Sequence, residues 1–527
     1  MNKRSGMKLR LFLFIVVQTS IAVCAQAQNV LSLETRINAI ISRPEFRHAL
    51  FGIEVYSLTD NKILYSLNPD KLFVPGSVTK LVTEGATMDL LGPDYRFHTS
   101  VYRTGQIDAN GVLNGDLVLV ASGDPNISNR IRGKDQLVFE NEDHAYGQIL
   151  HAKLVSGDPL QVLRDLAKEV AAKGVKKISG RVLVDVTLFP ETTREAGSGV
   201  VISPMSLNDN VIDVTVTPGA SSGSPALLQA SPDTRYATFK SEVQTGATGS
   251  TAEIQFVPVK AADGSLAVKV VGTIPMGSAP RPFPFSVPQP SKFAEVAFAE
   301  VLRDAGVEIS DSSSANNDWK TLATSYTDAN KLAEHVSPPL SEDVKVTLKV
   351  SQNLHAAMKP YLLGALLAKE HTSSIEAGFK QELAFLERMN LDAGAAVQSD
   401  GAGGASYFTP DFMVKFLVMM SKQKYSRLFY DSLPILGRDG SLADTGRDWP
   451  AAGKLRAKTG THIGGDLLNE RYVVNGKGLA GYLETKNGKQ IVFAVFVNHM
   501  PVAGEVEAAL RVGDTVAEIA AAAYDSQ

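Results

Sequence analysis

Ser77 and Lys80 stand three residues apart in FVPGSVTKLVT, residues 73–83, directly after Pro75-Gly76. On a helix opening at Ser77, positions i and i+3 share one face, so the hydroxyl and the amine can touch. A lysine held against a serine and taken partly out of water can lose its proton and act as a base. The product is an alkoxide nucleophile made without histidine. The same residues also read as an ordinary helix start, with a serine near its N-terminus and a solvated lysine one turn on. In isolation the pair does not separate the two.

Two further sets bear on the choice. Lys458-Thr459-Gly460, followed by Thr461, lies in LRAKTGT, residues 455–461. On a strand, these residues offer an ammonium and a hydroxyl for a carboxylate, with a glycine where a substrate backbone can approach closely. Ser351-Gln352-Asn353 stands between KVTLKV and a new helical stretch. It supplies a hydroxyl for proton relay and a side-chain amide for a peptide carbonyl. The order Ser77, Ser351, Lys458 is that of the S-x-x-K, S-x-N and K-T-G sets of serine–lysine acyl enzymes.

The first two sets have decoys. Ser5–Lys8 and Ser421–Lys424 repeat the first spacing, the one in a leader and the other at a helix end, after Ser351. Ser66-Leu67-Asn68, Ser206-Leu207-Asn208 and Ser314-Ala315-Asn316 repeat the second. Lys-Thr-Gly occurs once. The joint match in order and context therefore carries the argument.

These residues need elements to hold them. Residues 51–68 read as a hairpin around Thr59-Asp60-Asn61-Lys62, and 76–91 have helical spacing, with Val78, Leu81, Val82 and Met88 apolar. From about Arg96 to Phe285 the chain is β-rich, interrupted by one amphipathic helix at 160–174. The Pro-rich stretch at 279–290 reads as the exit linker. Helices then dominate, and the end returns to strands, with LAGYLET and QIVFAVFVN around the turn Lys486-Asn487-Gly488-Lys489, before a final helix. Strands at both ends with helices between predict an α+β fold: one antiparallel sheet assembled from both ends of the chain, flanked by helices and split by a large β-rich insertion.

The 527 residues suit two or three domains, and 44% hydrophobic with 20% charged residues suits a large apolar core. A net charge of −4 argues against nucleic acid or anionic membrane as a partner. Lys3, Arg4, Lys8 and Arg10 precede an apolar stretch and Ala25-Gln26-Ala27, the pattern of a secretory signal peptide over residues 1–27. Cys24, the single cysteine, falls inside that leader, so the mature chain is expected to hold no disulfide and no thiolate metal site. The nine histidines form no H-E-x-x-H or His-x-His cluster, and no phosphate-binding glycine motif is present, so neither metal nor cofactor is expected. Gly219-Ala220-Ser221-Ser222-Gly223 matches a hydrolase elbow but reads as a loop, and Lys168, Lys173, Lys176 and Lys177 read as solvated charge at a helix end.

With these residues in hand, the chain resembles the low-molecular-mass class C penicillin-binding proteins, the D-alanyl-D-alanine carboxypeptidase/endopeptidase type. The resemblance covers nearly the whole mature chain: PGSVTK, LVASGDPNIS at 119–128, GRVLVDVTLF at 180–189, SLNDNVIDVTVTPG, LAEHVSPPLSE, LPILGRDGSL and KTGT. The long interval between Ser77 and Ser351 belongs to it, since β-lactamases place only a helical segment there. It implies a β-lactamase/transpeptidase-like domain from residues 28–96 and 286–527, with an insertion of two subdomains at 97–285.

Carried over, Ser77 would attack the D-Ala-D-Ala carbonyl, Lys80 would be its base, and Ser351 would pass a proton toward the leaving amine. Asn353 would bind the peptide and orient Lys80, while Lys458 and Thr459 would hold the terminal carboxylate. Backbone N–H groups of Ser77 and Thr461 would form the oxyanion hole, with Gly460 beside them. Asp185 and Phe189 match the insertion stretch that approaches the cleft. Two departures stand out: Gln352 replaces the family's usual Asp, and SDGAGGASYFTP at 399–410 has Ala402 and Ala405 for hydroxyl residues in a shortened loop. The resemblance implies peptidoglycan stem peptides as substrates, β-lactams as acylating inhibitors, and a place in the periplasm or cell envelope. Two rival readings are a β-lactamase or esterase using the same trio, and a weakly catalytic envelope protein that binds peptidoglycan through the insertion.

Overall fold

The computed structural model describes residues 31–147, 152–260, 266–310, 317–368, 374–502 and 506–525. The expected leader 1–27, with Cys24 and the Ser5–Lys8 pair, lies outside these residues, as does the Ser314-Ala315-Asn316 triplet.

The strand Gln490–Val502 carries an unbroken apolar run from Ile491 to Val497, the pattern of a strand covered on both faces. It is the middle strand of a five-stranded antiparallel sheet. The order is Lys62–Leu67, Leu50–Ser57, Gln490–Val502, Arg471–Glu484, Leu455–Asp466, so the sheet is assembled from both ends of the chain, as expected. Its alternate residues serve two cores. Val492, Ala494 and Phe496 pack with helices Lys80–Leu91 and Pro410–Met420. Ile491, Phe493, Val495 and Val497 pack with helices Leu33–Ile41 and Val506–Ala521. Each fully buried Val, Ile or Phe contributes about 1.5–3 kcal/mol of transfer free energy, so apolar burial on two faces outweighs any surface ion pair in joining the two ends. The Asn-Gly signal is realised as a tight turn: Gly488 has φ 78°, and the Thr485 N–H donates to Lys489 O at 2.9 Å.

The β-rich block has its own core. Strands Val182–Asp185, Leu117–Val120, His98–Arg103 and Lys331–Val336 form a four-stranded sheet, against which helices Gln161–Ala172 and Pro290–Asp304 bury their apolar faces. A smaller core, around Val216, Val243, Val270 and Phe283, joins two three-stranded sheets. The predicted helix at 160–174 is observed as Gln161–Ala172, ended by Gly174 at φ 89°.

Two expectations are corrected. The proline-rich stretch at 279–290 is not a linker: Arg281–Ser286 is an edge strand paired with Val211–Thr217. Pro282 and Pro284 alternate with the buried Phe283 and Phe285, and an edge position whose N–H faces away from the partner loses nothing to proline. Nor do contacts change at Phe285. Phe293, Ala297 and Phe298 pack into the block, and Lys331–Val336 pairs with His98–Arg103, so the block runs on to Val336.

Candidate active site

The chain leaves Phe73, whose backbone pairs with Phe408 at 3.0 Å in both directions, and turns at Pro75-Gly76. Gly76 has φ 54°, and a Cβ there would lie 2.5 Å from the Thr461 nitrogen, so both conformation and space call for glycine. Gly76–Thr79 form a 3₁₀ turn that runs straight into helix Lys80–Leu91. The expected helix start at Ser77 is therefore a tighter turn, yet Ser77 and Lys80 still share a face: Nζ donates to Ser77 Oγ at 2.7 Å.

Lys80 is wholly buried, and its ammonium is the hub of the site. Besides Ser77 it reaches Asn353 Oδ1 at 2.7 Å, Ala402 O at 3.2 Å and Ser351 Oγ at 3.4 Å. Burial pushes its pKa down to about 8; the carboxylates of Glu195, Asp400 and Glu84 act in the opposite direction.

Ser351 ends helix Leu340–Val350 with φ 64° and ψ 33°, a left-handed conformation uncommon outside glycine. The Tyr146 hydroxyl, from the β-rich block, donates to its carbonyl at 2.6 Å. Gln352 then caps helix Asn353–Leu367, its side chain accepting the Leu354 N–H at 2.7 Å. This reversal aims the Ser351 hydroxyl and the Asn353 amide at the same lysine.

Strand Leu455–Asp466 forms the opposite wall. Lys458 Nζ donates to Ser351 Oγ and to Thr459 O, each at 2.8 Å; burial first, then Lys80 and Lys477, hold its pKa well below that of a free lysine. Thr459 Oγ1 lies 2.8 Å from Ser441 Oγ. Thr461 Oγ1 accepts from Lys477 Nζ at 2.6 Å, and burial pushes Lys477 down to about 8 against the pull of Asp514. Gly460 corrects its reading from sequence. It is buried, and a Cβ there would sit 1.9 Å from Pro75 O and 3.0 Å from Ser77 N. The close approach it permits is between this strand and the serine turn, not between the strand and a substrate.

Ser77, Lys80, Ser351, Asn353, Lys458, Thr459, Gly460 and Thr461 thus converge on one cleft. Asp185 and Phe189 do not. Asp185 is buried and accepts from the Tyr326 hydroxyl at 2.7 Å, while Phe189 is buried 5.4 Å from the Tyr361 ring. Their apolar and hydrogen-bonded surroundings leave no face for a ligand. The altered loop is held by Asp400, whose carboxylate takes the N–H groups of Ala402, Gly403, Gly404 and Ala405 at 2.6–3.1 Å. That nest turns the Ala402 carbonyl toward Lys80. Tyr146, Lys477 and Glu195 are new to the site. Asp400-Gly401 is a turn signal that could have flagged the nest; no local pattern marks the others.

Comparison with known proteins gives consistent matches. Residues 33–521 match the D-Ala-D-Ala carboxypeptidase 3 (S13) family. A D-alanyl-D-alanine carboxypeptidase of Actinomadura sp. is 28% identical over 489 residues, 88% of this chain and 82% of its own. The D-alanyl-D-alanine carboxypeptidase DacB of Haemophilus influenzae is 22% identical over 471 residues, 85% of each chain. The crystal structure of penicillin-binding protein 4 (dacB) from Haemophilus influenzae shares the fold with a TM-score of 0.68 at 20% identity, covering 94% of this chain and 99% of that one.

Proposed function

The chain belongs to the D-Ala-D-Ala carboxypeptidase 3 (S13) family, and from that membership we propose that it is a serine D-Ala-D-Ala carboxypeptidase working through an acyl-enzyme on Ser77. Its substrates are the stem peptides of peptidoglycan, and the same chemistry cleaves cross-linked stems as an endopeptidase. The observation that carries the site assignment is the buried Lys80 amine within 2.7 Å of both Ser77 Oγ and Asn353 Oδ1.

In the proposed mechanism, neutral Lys80 takes the Ser77 hydroxyl proton as Oγ attacks the carbonyl of the penultimate D-alanine. The N–H groups of Ser77 and Thr461 receive the oxyanion. Lys458 and Thr459 hold the terminal carboxylate, and Asn353 holds the peptide. The proton moves from Lys80 through Ser351 to the leaving amine, freeing D-alanine, and water then opens the ester. The part built from both chain ends carries this chemistry, and the β-rich block is an insertion that walls the cleft, with Tyr146 reaching Ser351 from it. The basic, then apolar start and Ala25-Gln26-Ala27 support export to the cell envelope. No described helix is long and apolar enough to cross a membrane.

A stem pentapeptide ending in D-Ala-D-Ala is expected to lose one D-alanine. Prior treatment with benzylpenicillin is expected to block that loss and add one penicilloyl group to the intact mass. Penicillin hydrolysed without an adduct would instead identify a β-lactamase, and intact penicillin with no D-alanine released would sink the enzyme reading. The packing of Gly460 adds a sharper expectation. Gly460→Ala displaces the serine turn, and a misplacement on the order of 1 Å costs about a hundredfold in rate; acylation at the wild-type rate would refute that account.

A further inference from the structure

Gln352 makes contacts that the acyl-transfer chemistry leaves unexplained. It is buried, and beyond capping its helix it sets Nε2 3.3 Å from Asp143 Oδ1 and 3.2 Å from Asp209 Oδ2. Both aspartates belong to the β-rich block. Asp209 is presented by three consecutive left-handed residues, Asn208, Asp209 and Asn210, with φ of 49°, 54° and 54°. Such conformations persist only where the surroundings over-determine them. Here Asn208 donates to Val211 O and Asp213, and Asn210 holds Leu207 and Val201 through its side chain.

The groups facing Gln352 form a balanced buried cluster. Arg130 Nη2 bridges Asp143 and Asp209 at 2.5 and 2.9 Å. His144 lies between Asp213 and Asp209, and His355, on the helix that starts at Asn353, lies between Asp343 and Asp209. Each ring meets a carboxylate at both nitrogens, which only an imidazolium, a donor on both sides, satisfies. Lys359 pairs with Asp343 and approaches Glu84 at 3.6 Å. Burial pushes the Glu84 carboxyl up to about 7, which sets it apart; the other four carboxylates, Asp143, Asp209, Asp213 and Asp343, meet four cations, Arg130, His144, His355 and Lys359. Asp143, His144 and Asp209 also bring ligand atoms within 4.8 Å of one another, but Arg130 and the two imidazoles already take those oxygens.

We propose that Gln352 is a positioning residue whose amide clamps the start of helix Asn353–Leu367 to Asp143 and Asp209, and so fixes Ser351 and Asn353 against Lys80. The inference rests on the reading of Ser77 and Lys80 as the acylating pair. The position must accept one backbone N–H and donate to two carboxylates at once, which a side-chain amide does and a carboxylate cannot. A negative charge there would also unbalance the cluster.

The test follows acylation of the full chain by benzylpenicillin, as intact mass against time, from pH 6 to pH 9, with the melting temperature recorded at each pH. Gln352→Glu keeps the acceptor for Leu354 but has one O–H, which can donate to one aspartate and only while protonated, a form that burial beside Asp143 and Asp209 favours. Its acylation rate is expected within about threefold of wild type at pH 6 and at least about tenfold below it by pH 9, whereas Gln352→Met is expected about tenfold slow at every pH. A Gln352→Glu profile parallel to wild type overturns the inference, as does wild-type acylation by Gln352→Met. Should Gln352→Glu not fold across the range, Gln352→Met decides alone. A wild-type chain that neither forms an adduct nor hydrolyses the penicillin overturns the Ser77 reading itself, and this one with it.

Discussion

Ser77→Ala is expected to gain no mass with benzylpenicillin and to release D-alanine at least on the order of a thousandfold more slowly than wild type. No other group in the cleft can replace the lost oxygen. Ser351 Oγ also lies against Lys80, yet at 3.4 Å, and it is held 2.8 Å from Lys458. The fold should be unaffected, because Ser77 is only partly buried and the change removes one oxygen without opening a core cavity. Melting temperature and intact mass measured on the same sample separate the two effects. A penicilloyl adduct on the alanine variant would place the nucleophile elsewhere.

Lys80→Met should lower acylation by a comparable factor, since Ser77 then has no base within reach. The wild-type pH profile carries the same information without mutation. Only the neutral amine can take the serine proton, and burial holds that amine down to about 8. Acylation should therefore rise with pH through about 8 and level off above it. A single ionisation makes the rate at pH 6 about a hundredfold lower than the plateau. Lys80→Arg is no rescue, because a guanidinium stays protonated throughout. A flat profile between pH 6 and pH 9 would remove Lys80 as the base.

The parts of the site read from sequence are those written in local patterns. Ser77 and Lys80 announce themselves by spacing, Lys458 to Thr461 by an unrepeated motif on a strand, and the sheet's middle strand by the unbroken apolar run Ile491–Val497. The terminal strands also had to pair, because each leaves apolar residues that no neighbour in sequence can cover. Other features depend on approach across long stretches of chain. Tyr146 gains its meaning from Ser351, and Asp209 from Arg130, Gln352 and two histidines. In sequence Gln352 stands out only as a replacement for Asp, because the partners that give it a role, Asp143 and Asp209, are absent from its own neighbourhood. Gly460 was misread for a related reason: the surface its missing side chain admits belongs to Pro75 and Ser77. Pro282 and Pro284 misled because a general breaker is tolerated on an edge. Asp185 and Phe189 lie in a resembling segment, but burial takes them from the cleft.

The sheet that joins the two ends of the chain also sets a timetable. Strand Leu50–Ser57 finds its inner partner only in Gln490–Val502, and the serine turn is backed by a strand that begins at Leu455. At a synthesis rate of about 5–20 residues per second, the first strand waits roughly 20–90 s for that partner. The β-rich block, whose sheets close among residues 98–336, is complete well before then. The cleft therefore forms only after the block, and a nascent chain that stops short of strand Leu455–Asp466 carries its nucleophile without a wall to work against. Late ripening of this kind withholds hydrolysis from every unfinished copy.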